Sequence, residues 1–249
     1  SRTLLCRTVP ANRGEVPAST NLVPTGPVIQ ENLGRKAPSR TYQDLLKNPT
    51  DERTFDYYAT TQLRKVTTDG TSVPLGQPAV IQQAAPSPDG RYVLLKTRHR
   101  PYSYLVTVGS FPTRVDVLAA DGTLVKTIAD LPLADNVPTG FDAVPAGQRQ
   151  HNWRADLPAT LYWVEAQDGG DPRQEAAVRD KIFTLDAPFG GAAAELVALP
   201  LRFAGVLWGN ATLALVEQIR FKDRKQVTLL INPATRTAPA VLYDRSYQD

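Results

Sequence analysis

The sequence has little cysteine, methionine or histidine: one Cys, no Met and two His among 249 residues. A single cysteine excludes an intrachain disulfide, and Cys6 lies in the apolar segment LLCRTV, which predicts a core residue rather than a catalytic thiol. No apolar run reaches the roughly 18 residues of a membrane-spanning helix, so no membrane partner is predicted. The net charge of +3 is too small, and its Lys and Arg too scattered, to indicate a nucleic-acid partner.

Motifs for catalysis, metal binding and cofactor binding are also missing. There is no G-x-S-x-G nucleophile motif and no Gly-rich phosphate loop. His99 stands among arginines and His151 near Trp153, which favours structural or surface roles for both. Asp168 and Asp171 flank two glycines in the manner of a calcium loop, but the further acidic ligands are absent, so a turn followed by a helix N-cap is the better interpretation. We therefore predict no catalytic residue, no metal and no cofactor for this chain.

A turn followed by an apolar strand occurs three times along the chain. It is clearest at 85–97, where Pro-Asp-Gly precedes a run of β-formers, and it recurs at 152–164 and 207–216. A strand-built repeat of roughly 40–50 residues is typical of a β-propeller. The wider spacing of some repeats indicates insertions.

The strand pattern predicts an all-β fold: an incomplete β-propeller of about four blades, each of four antiparallel strands, with short helical insertions. The predicted blades cover residues 1–76, 77–130, 146–200 and 201–249. The first of them lacks its first strand, so we expect an open arc from a larger ring within a longer protein.

Three helical segments are predicted between the strands. The first is a helix over Thr41–Lys47, ended by Asn48-Pro49, and the second is a further helical turn within 51–58. The third runs from Asp171-Pro172 to Asp180, because Asp at the N-cap with Pro at the first helical position favours a helix start.

The long loops are predicted to fall on one face of the propeller. Strands in a blade alternate in direction, so the connections between second and third strands share a face with the links between blades. Those connections are long at 10–60, 98–113 and 167–180, and the blade link 129–147 is long as well. Long ordered loops on a rigid scaffold are where contacts with other molecules concentrate.

A basic and aromatic group of residues on these loops is the candidate site. Arginine side chains bind carboxylates in a bidentate fashion, so an acidic peptide is the ligand class that the group suits. The alternative is that the arginines form salt bridges to Asp142, Asp168 or an adjoining domain. The predicted substrate-facing residues are Arg98, Arg100, Tyr102 and Arg149, with Tyr104 beside them.

Several long motifs resemble the glutamyl endopeptidase branch of the prolyl oligopeptidase family. They include HRPYSYL at 99–105, GFDAVPAG at 140–147 and WRADLPATLYWVEAQDGGDP at 153–172, with VPTGPVIQEN at 23–32 and RTYQDLLKNP at 40–49. The resemblance implies a propeller that gates and lines the substrate cavity of a serine peptidase cleaving after Glu. It also implies that the propeller docks onto a C-terminal α/β-hydrolase domain, which carries the Ser, Asp and His and is absent from this sequence. No catalytic residue is therefore carried over.

The same resemblance sets the expected partners and location. The partners are the chain's own hydrolase domain and a peptide substrate. The expected location is a bacterial periplasm or the secreted fraction, in preference to a plastid. The alternative is a non-catalytic propeller that binds protein or glycan. The gene sequence beyond Asp249 distinguishes these two functions.

Overall fold

The fold is described by a computed structural model over residues 3–18 and 42–248. The motif at 23–32, Thr41 and most of the predicted loop over 10–38 lie outside these residues. The chain divides into two compact units: unit 1 is Ser1–Ala85 with Leu95–Asn136, and unit 2 is Pro86–Leu94 with Val137–Asp249.

The described residues are built mainly from strands. One α-helix, α1, covers Pro49–Ala59, and short 3-10 helices cover Val108–Ser110 and Phe221–Asp223. The strands are β1 Thr3–Thr8, β2 Thr60–Thr67, β3 Ser72–Pro74, β4 Ala79–Pro86, β5 Tyr92–Arg98, β6 Thr113–Ala119, β7 Leu124–Leu131, β8 Gln148–Trp153, β9 Thr160–Ala166, β10 Asp180–Asp186, β11 Ala194–Leu199, β12 Arg202–Asn210, β13 Leu213–Arg220, β14 Lys225–Ile231 and β15 Ala240–Ser246.

The all-β prediction is confirmed, since the described residues form fifteen strands and a single α-helix, and strands lie within the predicted repeats at 85–97, 152–164 and 207–216. The turns that separate them follow the predicted chemistry. Gly70, Gly90 and Gly122 have φ angles of 88°, 71° and 91°, which glycine adopts without strain. The carboxylates of Asp69 and Asp121 accept the backbone N–H two residues further on, at 2.8 and 2.9 Å.

Unit 1 holds most of a seven-stranded sheet in the order β1-β2-β4-β5-β6-β7, with β3 paired to β2. β1 and β2 are antiparallel over six residue pairs, and β6 and β7 likewise over six. β2 and β4 share only two pairs, Thr60↔Val80 and Thr61↔Ala79. Strands from the predicted blades 1–76 and 77–130 thus belong to one sheet through this short contact.

Unit 2 contains two antiparallel four-stranded sheets, β8–β11 and β12–β15, each in sequence order across the sheet. One buried cluster of aliphatic and aromatic side chains from both sheets forms the core of the unit. Its members are Val164, Ile182, Leu196, Val197, Leu199, Leu201, Phe203, Ala214, Val216, Val227, Leu229 and Ile231. Burying this apolar surface is the main favourable contribution to the folding of the unit.

The first predicted helix is misplaced. Residues 42–47 are not helical, and α1 begins at Pro49, where we expected a helix to end. The side-chain oxygen of Asn48 accepts hydrogen bonds from the N–H groups of Thr50 and Asp51, at 2.8 and 3.0 Å. Asn48 is therefore the N-cap, and Pro49 is the first helical residue. The N–H that proline lacks would have no partner within the helix at this position, so its absence does not destabilise the helix.

The predicted helix over 171–180 is also wrong, since residues 172–179 form turns and bends. The carboxylate of Asp171 does accept the N–H of Arg173, at 3.0 Å, and the N–H of Gln174 bonds the carbonyl of Asp171. This closes a single turn. The chain then continues without helical structure to Arg179, whose guanidinium bonds Asp168 at 2.6 Å.

The core of unit 2 gives a stability prediction. Ile182 is fully buried, so Ile182→Ala removes apolar contacts and leaves a cavity, which should lower the free energy of unfolding by about 2–5 kcal/mol. The control is Leu207→Ala at a side chain that is 66% exposed, where we expect a change of about 0.5 kcal/mol or less. Denaturant unfolding measures both, and equal losses would contradict the core assignment.

Candidate functional site

In unit 1 the candidate residues on the loop 98–113 contact the helix α1. The Arg100 guanidinium forms ion pairs with two helix carboxylates, Glu52 and Asp56, and its Nη2 lies 2.8 Å from Asp56 Oδ2. Its side chain remains 49% exposed. These carboxylates raise the pKa of Arg100, so it stays charged at any physiological pH.

The two tyrosines of the loop donate to the same carboxylates. Tyr102 donates its hydroxyl to Asp56, and Tyr104 donates to Glu52 at 2.9 Å. The Tyr102 ring stacks on Phe111, with centroids 4.9 Å apart, and meets the edge of Phe55. Burial, and next the hydrogen bond to Asp56, raise the pKa of Tyr102, which therefore stays a neutral donor.

Arg98 is directed toward its own loop. Its Nη1 donates to the carbonyl of Phe111 at 2.6 Å and to the hydroxyl of Thr113. Burial lowers the pKa of Arg98, and burial together with the Arg98 charge lowers the pKa of Lys96 to about 8. His99 shares a hydrogen bond of 2.8 Å with Asp130. These contacts fix the end of β5 against the start of β6.

Arg149 lies in unit 2, whereas Arg98, Arg100 and Tyr102 lie in unit 1. It is buried, and its Nη2 contacts Asp180 Oδ2 at 2.5 Å. Its Nε and Nη1 are buried and have no hydrogen-bond partner among the described residues. Burial lowers the pKa of Arg149, while Asp180 opposes this effect.

The ion-pair partners differ from those that the sequence suggested. We considered Asp142 and Asp168, whereas Arg100 pairs with Glu52 and Asp56, and Arg149 pairs with Asp180. Glu52 and Asp56 are four residues apart and so share one face of α1. The helical turn predicted within 51–58 contains both positions, and their spacing of four residues is the signal that could have identified them as a carboxylate pair.

A buried ionic network in unit 2 was not predicted. Arg202 Nη2 contacts both carboxylate oxygens of Asp168, at 2.7 and 2.6 Å, and its Nη1 contacts Asp180 Oδ1 at 3.0 Å. Arg179 Nη1 contacts Asp168 at 2.6 Å. The side chains of Asp168 and Asp180 have no exposed surface. Buried carboxylates need such partners because desolvating an unpaired charge is costly.

The network also joins the long segments of unit 2. Arg202 Nε donates to the carbonyl of Asp142 at 2.8 Å, and the N–H of Val144 bonds the carbonyl of Gly170 at 3.1 Å. A Cβ at Gly170, whose φ is 79°, would lie 2.0 Å from the Val144 carbonyl oxygen, so only glycine fits. The segments 137–147 and 167–180 therefore meet, in unit 2, as the strand alternation predicts.

The same network bears on metal binding at the Asp168–Asp171 turn. Asp168 is saturated by two guanidinium groups and the N–H of Gly170, and Asp171 pairs with Arg173. Within residues 3–18 and 42–248, no group of three or more His, Cys, Asp or Glu is placed to hold a metal ion. In the same residues no helix has the length and hydropathy to cross a membrane.

The network gives a prediction with a pH dependence. Burial opposes ionisation of Asp168, but hydrogen bonds from Arg179 and Arg202 outweigh it and hold its pKa below the ordinary value of 3.8. A lowered carboxyl pKa stabilises the fold above the ordinary value, and this contribution is lost as the pH falls through the lowered one. Asp168→Asn should therefore cost about 3–5 kcal/mol at pH 7, because it removes the buried charge that both Arg179 and Arg202 contact, and the loss should shrink toward pH 2.

The matched control is Asp171→Asn. Asp171 pairs with the exposed Arg173, which holds its pKa at about 2, but this pair is open to solvent and contributes little. Denaturant unfolding of both variants between pH 2 and pH 7 is the measurement. A similar, small loss for both at pH 7 would contradict the network's role.

Comparison with known proteins identifies relatives along nearly the whole chain. No protein-family model matches it. It is 44% identical over 251 aligned positions to the "probable glutamyl endopeptidase, chloroplastic" of Oryza sativa subsp. japonica, covering 99% of the chain and 27% of that relative. The corresponding protein of Arabidopsis thaliana is 43% identical over 99% of the chain and 26% of its own length. The chain thus spans about a quarter of these relatives.

Solved structures give weaker similarities. The Pyrococcus horikoshii acylaminoacyl peptidase aligns with 75% of the chain and 28% of its own, at 13% identity and a TM-score of 0.46. The Kuenenia stuttgartiensis hydrazine synthase aligns with 68% of the chain and 46% of its own, at 14% identity and a TM-score of 0.37. Both scores lie below 0.5, so no argument rests on them.

The expected location is wrong. We predicted a bacterial periplasmic or secreted protein, but the matched relatives are plant proteins named chloroplastic. The family resemblance, in contrast, is confirmed by identities above 40% along 99% of the chain. Over 99% of its length the chain is thus similar to about a quarter of proteins named glutamyl endopeptidase, and its described residues form an all-β, propeller-like fold.

Proposed function

We propose that this chain is the propeller part of a peptidase that cleaves peptide bonds after Glu. In this role it lines and gates the substrate cavity and docks onto a catalytic α/β-hydrolase domain. The observation that best supports this proposal is the similarity to a protein named probable glutamyl endopeptidase. The sequence identity is 44% over 99% of the chain, and the chain spans 27% of that protein. The chloroplastic names of the relatives support a plastid location.

The arrangement of the long segments within each unit supports a contact role for them. In unit 1 the loop 98–113 packs on α1, and the N–H of Ala134 bonds the carbonyl of Ser110 at 2.9 Å. In unit 2 the segments 137–147 and 167–180 meet around Arg202. Both sets are held by strands of antiparallel sheets, so they form ordered surfaces suited to binding another domain or a peptide.

The substrate-facing role of Arg98, Arg100, Tyr102 and Arg149 stays a prediction. Arg100 suits this role best, because its side chain is half exposed and its guanidinium is oriented by ion pairs with Glu52 and Asp56. Arg98 donates to a loop carbonyl, and Arg149 is buried against Asp180. These two suit a supporting role more than direct contact with a substrate.

The activity itself is tested with two proteins, the 249-residue chain and the full-length protein that contains it. The probes are a fluorogenic peptide with one Glu-Xaa bond and its Gln-Xaa counterpart. We expect the full-length protein to cleave the Glu peptide much faster, and the chain alone to cleave neither, because it carries no nucleophile motif.

Gating is tested in the same full-length protein. The Glu-containing peptide should be cleaved when free, and resist cleavage when embedded in a folded domain, because the propeller screens substrates by size. Equal rates for Glu and Gln peptides would reject the proposed specificity, and cleavage by the chain alone would reject its supporting role. Equal rates for free and embedded sites would reject gating.

The contribution of Arg100 gives a further prediction. Arg100→Gln in the full-length protein should lower kcat/KM for acidic peptides by about two- to fivefold, the worth of one partly exposed charge contact, and the effect should shrink at high salt. Arg114→Gln is the matched control, since Arg114 is also partly exposed and paired, with Asp116. If both variants keep the original kcat/KM, Arg100 is a structural ion-pair residue only.

A further inference from the structure

A groove of about 430 Å³ opens in unit 2 between the outer strands of its two sheets. One side is formed by Ala198 of β11 and by Pro200 and Leu201, which lead into β12. The other side is formed by Pro239 and Val241, around the start of β15. Volumes of roughly 300–1,000 Å³ are typical of binding sites. Every lining residue belongs to unit 2, so the groove is complete within one compact unit.

The floor of the groove is part of the core of unit 2. Leu201, Val227 and Leu229 line it and are also members of the buried cluster between the two sheets. Val241 is paired with Leu229 across β14 and β15, so both side chains lie on the same face of the sheet. Leu229 is buried, whereas Val241 is 63% exposed. The apolar interface between the sheets therefore continues to the surface, where β15 is left uncovered among the described residues.

A buried glutamine supplies the groove with an unused hydrogen-bond donor. Gln218 is only 2% exposed, and its Oε1 accepts the N–H of Leu201 at 2.9 Å. Its Nε2 makes no hydrogen bond among the described residues and is not sealed from solvent. Because Gln218 lines the groove, a backbone carbonyl placed there would accept a hydrogen bond from this amide.

The charged side chains at one end of the groove are already paired. Lys225 Nζ lies 2.9 Å from Asp244 Oδ2, and Arg220 Nη2 lies 2.6 Å from Asp223 Oδ2. These pairs leave no charge in the groove that calls for a charged ligand. Together with the apolar floor, they favour an uncharged segment rather than an acidic one.

The two strands beside the groove are edge strands. β11 and β15 each end their sheet, and no further strand pairs with them among the described residues. The pairing of β11 with β10 is irregular at Leu196 but regular over Val197–Leu199, the part next to the groove. β11 contains neither Lys nor Pro, the residues that commonly protect an edge, so this part can pair with another extended segment.

The length of the relatives indicates a source for such a segment. The chain spans 26–27% of two proteins to which it is 43–44% identical, so most of a protein of this kind lies outside it. Natural proteins usually cover or protect their edge strands. A segment of the same protein does so readily, because linkage in one chain gives it a high effective concentration at the groove.

We propose that an extended segment from the rest of the full-length protein lies in this groove. Its apolar side chains, at alternate positions, pack against Val227, Leu229 and Val241, and one of its backbone carbonyls accepts from Gln218. The segment pairs with the free edge of β11 and covers β15. This proposal concerns the edges of the sheets and does not depend on the proposed peptidase activity.

The test uses the 249-residue chain and overlapping peptides that tile the rest of the full-length protein. Peptides of about 15 residues are long enough to contain a complete strand. Fluorescence polarisation measures binding, and the side-chain amide resonance of Gln218 reports its location. We expect peptides from one contiguous segment to bind and to shift this resonance. The full-length protein should not bind the same peptide, because its own segment already fills the groove.

The test variant is Val241→Glu, which places a charge in the apolar groove. It should weaken binding of the peptide about tenfold or more, because the new carboxylate would have to be desolvated. Its thermal midpoint should stay near that of the original chain, since Val241 is largely exposed. The matched control is Leu242→Glu on the same strand, at a side chain that is 44% exposed and does not line the groove. This control should leave binding unchanged.

Four results would overturn the proposal. No binding of any peptide at millimolar concentration, or equal losses of affinity in the two variants, would reject the site. Equal binding of the peptide by the full-length protein and by the chain would show that the groove is open and belongs to a separate partner. A concentration-dependent dimer of the chain that Val241→Glu abolishes would assign the groove to a second copy. Cleavage of Glu peptides is measured separately, so failure of this proposal is distinguishable from failure of the proposed activity.

Discussion

Asp168 and Asp180 are two carboxylates with no exposed side-chain surface, and the loop structure of unit 2 depends on how they are neutralised. Arg202 contacts both of them and also the carbonyl of Asp142, so one guanidinium connects the start of β12 with the segments 137–147 and 167–180. Arg179 also pairs with Asp168, and Arg149 with Asp180. Because each group would be costly to bury alone, the segments can be ordered only together.

Unit 1 uses the same chemistry in a more exposed setting. Glu52 and Asp56 on α1 form ion pairs with Arg100 and accept hydrogen bonds from two tyrosine hydroxyls. Phe55, on the same helix, packs against Tyr102 and Phe111. The contacts fix the loop 98–113 on the helix, while half of the Arg100 side chain stays open to solvent. An ordered yet accessible charge is what a docking or substrate-contacting surface requires.

These two arrangements suggest how a propeller portion could serve a peptidase without providing any reacting group. The strands supply rigid sheets, and the long segments between them carry arginines whose orientation is set by buried or partly buried carboxylates. In the proposed function, such surfaces would bind a second domain and favour acidic peptides.

The sequence by itself determined the strands, their Asp-Gly turns and the family, because alternating apolar residues and turn chemistry are local signals, and the family motifs are long. It also placed a helical turn within 51–58, where α1 lies, but it failed at the helices predicted over 41–47 and 171–180. Asn48-Pro49 and Asp171-Pro172 are the same local pattern, yet the first starts a helix and the second closes one turn. Only the tertiary structure distinguishes them: on α1, Glu52 and Asp56 gain partners from the loop 98–113, whereas after Asp171-Pro172 the non-helical chain places Arg179 against the buried Asp168. The pairing of each arginine was likewise set by which carboxylate folding buried beside it.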